Sequence, residues 1–276
     1  MALINCNFFS YTLGMDSSMT VLLPEKRQQP HVPNPDKKYP VLYLLHGHSD
    51  DHTSWLRKSL IELLVRDYDI IVVMPNAHRS FYTDSKHGHR YFEFFSQELP
   101  IVVSNFFPAS DKREDNYVAG LSMGGYGALK LALNCPDRFV AAGCLSGAIS
   151  PSEALEAASR SSMFTVSDFE DNFYNVFGGK EELAHTVNDL FHIAGELDTK
   201  DVPKPIIYHS CGKSDPLYQT NIAFRDFMLK RTSFDYTFEE SDGGHDWAFW
   251  NRELPVMLRK FGIVNDAKGL EDPSFL

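Results

Sequence analysis

The chain has 276 residues, 43% hydrophobic and 23% charged, an ordinary globular composition that excludes disordered and fibrous classes. Lysine and arginine number 26 against 37 aspartates and glutamates, and the resulting net charge of −11 leaves no basic footprint for nucleic acid or an anionic membrane. There is no secretory-type leader and no apolar run of the roughly 18 residues that span a bilayer. The four scattered cysteines (Cys6, Cys135, Cys144, Cys211) suit reduced thiols, so a cytoplasmic protein is expected.

In chain order, residues 4–13 and 19–23 read as two strands around the turn Gly14-Met15-Asp16, followed by a proline-rich loop between Pro24 and Pro40. Continuous apolar runs at 41–45, 70–74, 117–121, 139–145 and 205–208 fit strands buried on both faces of a parallel sheet, and 234–238 fits a late or edge strand. Helical patterns occupy 54–66, 90–106, 123–133, 217–230 and 246–261. The alternation predicts an α/β fold with a mostly parallel central sheet flanked by helices. Residues 150–202 break the rhythm: they are polar, helix-prone and strandless, with short helices expected at 152–158 and 169–176. About 50 residues is small for an independent core. The expectation is one domain over 1–276, with 150–202 as a cap-like insertion over one end of the sheet.

The strongest local signal is Gly120-Leu121-Ser122-Met123-Gly124-Gly125, between an apolar strand and a helical pattern. This is the nucleophile-elbow sequence, in which a serine on a tight turn needs small residues two before and two after it. A serine hydroxyl is a weak nucleophile and needs a base oriented by a third group. In the α/β-hydrolase order of serine, acid, histidine, the base lies downstream of Ser122. His185 and His192 fall in the insertion and His209 inside a strand run, whereas His245 sits in the turn Gly243-Gly244-His245 before the last helix. Asp215, just past the 205–208 run and thirty residues before His245, is the expected acid. Asp198 precedes that strand and is the competitor, and Asp246 adjoins the histidine too closely to present its carboxylate to the ring. The amides of Met123 and of His48, on the loop His46-Gly47-His48, are the expected oxyanion donors.

His46, His48 and His52, with Asp50 and Asp51, are also ligand types for zinc, and His87 and His89 form a second cluster. Their spacing matches neither HExxH nor a Cys/His finger, so no metal and no cofactor are expected. Among the many aromatics near the mouth of the sheet, Trp55, Tyr82 and Trp247, together with Gly47, are assigned to the substrate pocket.

The strand and His-Gly loop at 41–48, the Gly-Leu-Ser-Met-Gly-Gly-Tyr-Gly elbow at 120–127 and the Gly-Gly-His-Asp-Trp turn at 243–247 resemble the esterase D-type putative esterase family of α/β-hydrolases. Within it, the likeness is nearest to the bacterial tributyrin esterases. The resemblance implies a serine carboxylesterase for short-chain acyl esters, a small-molecule substrate and an acyl-enzyme intermediate. It implies Ser122, Asp215 and His245 as catalytic residues with His48 and Met123 as oxyanion donors, and it leaves room for a homo-oligomer. The same family holds S-formylglutathione hydrolases and feruloyl and acetyl-xylan esterases, which are the alternatives. A non-catalytic binding module of this fold would have lost the serine, aspartate or histidine, and all three are present.

Overall fold

The structure, a computed structural model, describes residues 1–25, 36–159 and 166–265. Its chain opens on an antiparallel hairpin, β1 (Ala2–Ser10) and β2 (Met15–Leu23), turned at Gly14 with φ +69°, a backbone conformation that suits a residue without Cβ. The second strand starts earlier than its apolar run. Asp16, Ser17 and Ser18 pair with Phe9, Phe8 and Asn7 near the edge of the sheet, where one face meets water and polar residues fit a strand. Of the proline-rich loop expected after this hairpin, residues 26–35 lie outside the described residues.

The rest of the sheet is β3 (Val41–Leu45), β4 (Ile71–Pro75), β5 (Asn116–Leu121), β6 (Ala141–Leu145), β7 (Ile206–Gly212) and, at the edge, β8 (Tyr236–Ser241). The eight strands form one sheet in the order β1-β2-β4-β3-β5-β6-β7-β8, parallel from β4 to β8. Because side chains alternate across a strand, each central strand feeds two cores. Val41, Tyr43 and Leu45 join one hydrophobic cluster, and Leu42 and Leu44 join the other. Burying each such Val or Leu is worth about 1.5–3 kcal/mol, which is why continuous apolar runs settle here.

Helices cover both faces. α1 (Ser54–Lys58) and α2 (Ile61–Val65) replace the single helix expected at 54–66, broken where the Ser59 hydroxyl takes the Trp55 carbonyl at 2.6 Å. The expected helix at 90–106 is α3 (Tyr91–Glu93), a π-helical turn at Phe94–Glu98 and α4 (Leu99–Phe106). Pro100 sits in the first turn of α4 and has no N–H to continue the upstream ladder, which accounts for the change of pitch. α5 (Met123–Asn134) follows β5. The insertion holds α6 (Pro151–Ser159), α7 (Val166–Phe177) and α8 (Leu190–Asp198), and no strand among the described residues of 150–202. α9 (Tyr218–Arg231) and α10 (Trp247–Lys260) complete the layers.

The order of the strands locates the site. From β3 the chain steps to β4 on one side and then crosses to β5 on the other, so β3 and β5 are neighbours at the point where the winding reverses. A crevice opens outside the C-terminal ends of strands at such a switch. With Leu45 paired to Gly120, the loop after β3 and the turn after β5 emerge side by side into it.

Candidate active site

Ser122 caps α5 with φ 55° and ψ −119°, a left-handed conformation that costs a non-glycine residue about 1–3 kcal/mol. The turn is held by the Ser122 N–H donating to Leu145 O at 2.9 Å and by Ser122 O accepting from Ala148 N at 3.0 Å. It fits only because the backbone passes close by. A Cβ on Gly120 would stand 2.4 Å from Gly124 O, and one on Gly124 would stand 2.3 Å from Leu45 O. Both contacts are with backbone, which cannot swing aside. Gly124→Ala is therefore expected to cost about 3 kcal/mol or more of stability, read as a lowered unfolding midpoint in urea.

The loop after β7 and the turn after β8 are laced together. Lys213 N donates to Ser241 O at 3.0 Å and Ser214 N to Gly243 O at 2.9 Å. Asp215, with its side chain fully buried, accepts from Leu217 N through Oδ1 at 2.8 Å and from His245 Nδ1 through Oδ2 at 2.8 Å. A carboxylate only accepts, so Nδ1 carries the ring proton and Nε2 turns its lone pair to Ser122 Oγ, 2.9 Å away. Ser122, His245 and Asp215, which span 123 residues of chain between the serine and the histidine, meet in one hydrogen-bonded line.

The competitors for these positions are occupied elsewhere. Asp198 holds Ser233 N and Oγ at 2.9 and 2.8 Å, and Asp246 caps α10 by accepting from Phe249 N at 2.9 Å. His209 is buried between Asn221 and the Tyr236 hydroxyl, and burial pushes its pKa down to about 4. His185 and His192 meet edge-on in the insertion, their ring centres 5.3 Å apart.

Beyond β3, His46 is locked as one tautomer. Ala77 N donates to its Nε2 at 2.9 Å, so Nδ1 carries the proton and donates to Gly47 O at 2.7 Å. Burial lowers its pKa, and both nitrogens serve the loop. His48 packs its ring on Phe169 at 4.6 Å with Nε2 2.8 Å from Asn172 Oδ1, and burial followed by the nearby Arg79 charge brings its pKa to about 4. His52 meets Ser18 Oγ at 3.2 Å. Among the described residues no three His, Cys, Asp or Glu side chains gather as metal ligands. Met123 opens α5, so its N–H belongs to the first turn, where helix amides lack an intrahelical acceptor. Met123, His48, Gly47, Ser122 and His245 line one cavity of about 320 Å³.

Two assignments to that cavity need correction. Trp55 stands behind it: 1% exposed, it donates Nε1–H to Leu45 O at 2.8 Å and supports Trp247 edge-on at 5.1 Å. Tyr82 is fully buried, its hydroxyl donating to His46 O at 2.9 Å and its ring filling the space above Gly127. It braces the loop after β3 instead of facing substrate. Its neighbour Phe81 lines the cavity, together with Trp247 and Gly47. Leu217, Ala148 and, from the insertion, Ala154 and Phe169 add to the apolar wall. Lys130 also has no counterpart in the sequence reading. Buried on α5, it donates to Thr83 Oγ1 at 2.7 Å and Asn188 Oδ1 at 2.6 Å, tying the Phe81 loop and the insertion to the serine's helix. Burial lowers its pKa to about 7.

A family model described as putative esterase matches residues 10–261. An acetyl esterase of Caldicellulosiruptor saccharolyticus is 34% identical over 280 residues, covering 96% of this chain and 100% of that protein. The fluorophosphonate-binding serine hydrolase FphF of Staphylococcus aureus, solved with substrate bound, superposes with a TM-score of 0.85 at 32% identity over 96% of this chain and 99% of its own. The S-formylglutathione hydrolase FrmB of the same organism gives a TM-score of 0.80 at 31% identity over 94% and 98%. The chain belongs to the putative esterase family, in the α/β-hydrolase fold, and is a serine hydrolase that cleaves esters.

Proposed function

We propose that this protein is a carboxylesterase for short-chain acyl esters, of the tributyrin esterase kind, working through an acyl-enzyme on Ser122. Ser122 Oγ attacks the ester carbonyl as its proton passes to His245 Nε2, and Asp215 holds the imidazolium that forms. The oxyanion is met by the amides of Met123 and His48. His245 then protonates the departing alcohol as its bond to the acyl carbon breaks, takes a proton from water as the water oxygen attacks that carbon, and returns the proton to Ser122 Oγ as the acyl–serine bond breaks. The single observation that carries this reading is the hydrogen-bonded line of 2.9 and 2.8 Å from Ser122 through His245 to Asp215.

The short acyl chain rests on the size of the cavity. At about 320 Å³ it lies at the small end of ligand pockets, and Phe169, Ala154 and Leu217 give it an apolar wall. The name of the Caldicellulosiruptor relative, an acetyl esterase, agrees with that size. We read the chain as one domain in which Ala154, Ala157 and Phe169, from the segment 150–202, wall the acyl pocket. All four cysteines are free thiols, which suits the cytoplasm, and no described helix is long and apolar enough to cross a membrane.

The test is a kcat/KM series over p-nitrophenyl esters from acetate to octanoate, with methyl ferulate and S-formylglutathione alongside. A maximum at acetate or butyrate, falling by about tenfold or more at octanoate, is expected. A preference above tenfold for methyl ferulate or S-formylglutathione would replace this reading with the corresponding one.

A further inference from the structure

We propose that a second, more polar groove on the far side of His48 receives the leaving alcohol, and that Arg79 there selects alcohols carrying a negatively charged group. The inference rests on the esterase reading of Ser122 and concerns which esters that site takes.

The groove has a volume of about 580 Å³ and shares His48, Ser49 and Asp50 with the apolar cavity, so the two spaces meet at the loop after β3. Their chemistry differs. The first is walled mainly by Ala148, Ala154, Phe169 and Leu217 with Lys58 and Asp246 beside them, whereas the second sets Arg79, His78, His87, His89, Ser80 and Asn172 among Met15, Tyr91 and Val176 and is the more polar of the two. An aliphatic acyl chain gains by entering the first and leaves the polar groove to the other half of the ester.

The charge in the groove is unusual for this protein. In a chain of net charge −11, Asp50 is the only carboxylate among the described residues that line the groove, and it is paired with Lys58 at 2.7 Å. Arg79 directs Nε to His48 Nε2 at 3.2 Å and one terminal nitrogen to the backbone carbonyl of Asp168 at 3.2 Å, and it has no carboxylate ion-pair partner among the described residues. A half-buried guanidinium that keeps N–H groups beyond those two contacts offers a fork suited to a carboxylate or phosphate. The imidazoles and hydroxyls around it add donors without adding opposing charge. Residues His78, Phe81 and Tyr82 of this loop hold positive φ values of 48°, 50° and 52°. Such conformations persist only where the surroundings fix them, so the guanidinium sits on a rigid support.

The probe series is the acetyl esters of 4-hydroxybenzoate, 4-hydroxyphenylacetate and 4-hydroxyphenylpropionate, each compared with its carboxamide, so that the negative charge is set at increasing reach. Low ionic strength keeps the interaction unscreened. In the wild type, kcat/KM for the acid over its amide should be highest at one member. That ratio should fall about tenfold in Arg79→Gln, mainly through KM, with an intermediate value in Arg79→Lys. Taking a ratio removes any general effect of Arg79 on His48, because both esters form the same acetyl-enzyme. The unaltered protein gives a second reading: the matching hydroxy acid should inhibit about tenfold more strongly than its amide. Equal ratios in wild type and Arg79→Gln at every length overturn the proposal. So does sensitivity confined to p-nitrophenyl hydrogen succinate, which would give the groove to the acyl side. Failure of the esterase reading is distinguishable, because it would appear as no Ser122-dependent hydrolysis of the neutral amides.

Discussion

Replacing Ser122 by alanine is expected to lower kcat for p-nitrophenyl acetate and butyrate by about 10,000-fold or more. The hydroxyl contributes nothing else that alanine removes. The turn is held by the Ser122 backbone to Leu145 and Ala148, and by the absence of side chains at Gly120 and Gly124. Alanine carries the same Cβ at φ 55°, so the strain of the turn is unchanged. The circular dichroism spectrum and the unfolding midpoint should match the parent, and KM should change little because the cavity wall is intact. The activity that remains should come from the oxyanion amides and the positioning of substrate, which act without the nucleophile. Retention of more than a few per cent of kcat would remove Ser122 from the reaction.

Asp215→Asn is expected to cost about 10,000-fold in kcat, with Asp198→Asn within about threefold of wild type. The asymmetry follows from what each carboxylate does. Asp215 accepts from His245 Nδ1, which leaves Nε2 unprotonated toward Ser122. An asparagine amide at that place can donate to Nδ1, which favours the tautomer with its proton on Nε2 and leaves the serine without a base. Leu217 N, which donates to Asp215 Oδ1, still finds an acceptor in the asparagine carbonyl, so the loop should survive the change. Asp198 instead ties α8 to Ser233. An amide oxygen can keep those hydrogen bonds, and Asn there should show only a small loss of stability. If Asp198→Asn proved inactive and Asp215→Asn active, the acid would have been misassigned.

The residues of the proposed triad were legible because their constraints are local. A serine flanked at two residues by glycine, between an apolar strand and a helix, has few uses. The order of serine, acid and histidine then leaves one base, His245, in a turn between a strand and a helix. What the sequence did not show was which face a ring would take. Tyr82 and Phe81 are adjacent, and both hold positive φ, so the usual alternation does not apply. The signal that separates them was present but distant: Gly127, five residues after Ser122, makes the room that the Tyr82 ring fills. Trp55 was drawn to the pocket by its aromatic character, yet its indole N–H needed the Leu45 carbonyl more than a ligand.

Strand limits were misread where polar residues are paired. β7 runs to Gly212 because His209, enclosed by Asn221 and Tyr236, can be buried in mid-strand at no cost in lost hydrogen bonds. The switch between β3 and β5, which makes the loop at 46–48 a neighbour of Ser122, depends on strand order and has no trace in any local run of sequence. Arg79 was missed for a similar reason. Nothing in its own segment marks it, and its setting comes from Asn172, which lines the same groove, and from the Asp168 backbone carbonyl that holds it.

The most direct measurement is to treat the protein with one equivalent of a fluorophosphonate, follow esterase activity to completion, and map the modified peptide by mass spectrometry. One adduct per chain on Ser122, gained in step with the loss of activity and absent from Ser122→Ala, is the predicted result. An adduct on any other residue, or hydrolysis that persists after Ser122 is fully modified, would contradict it.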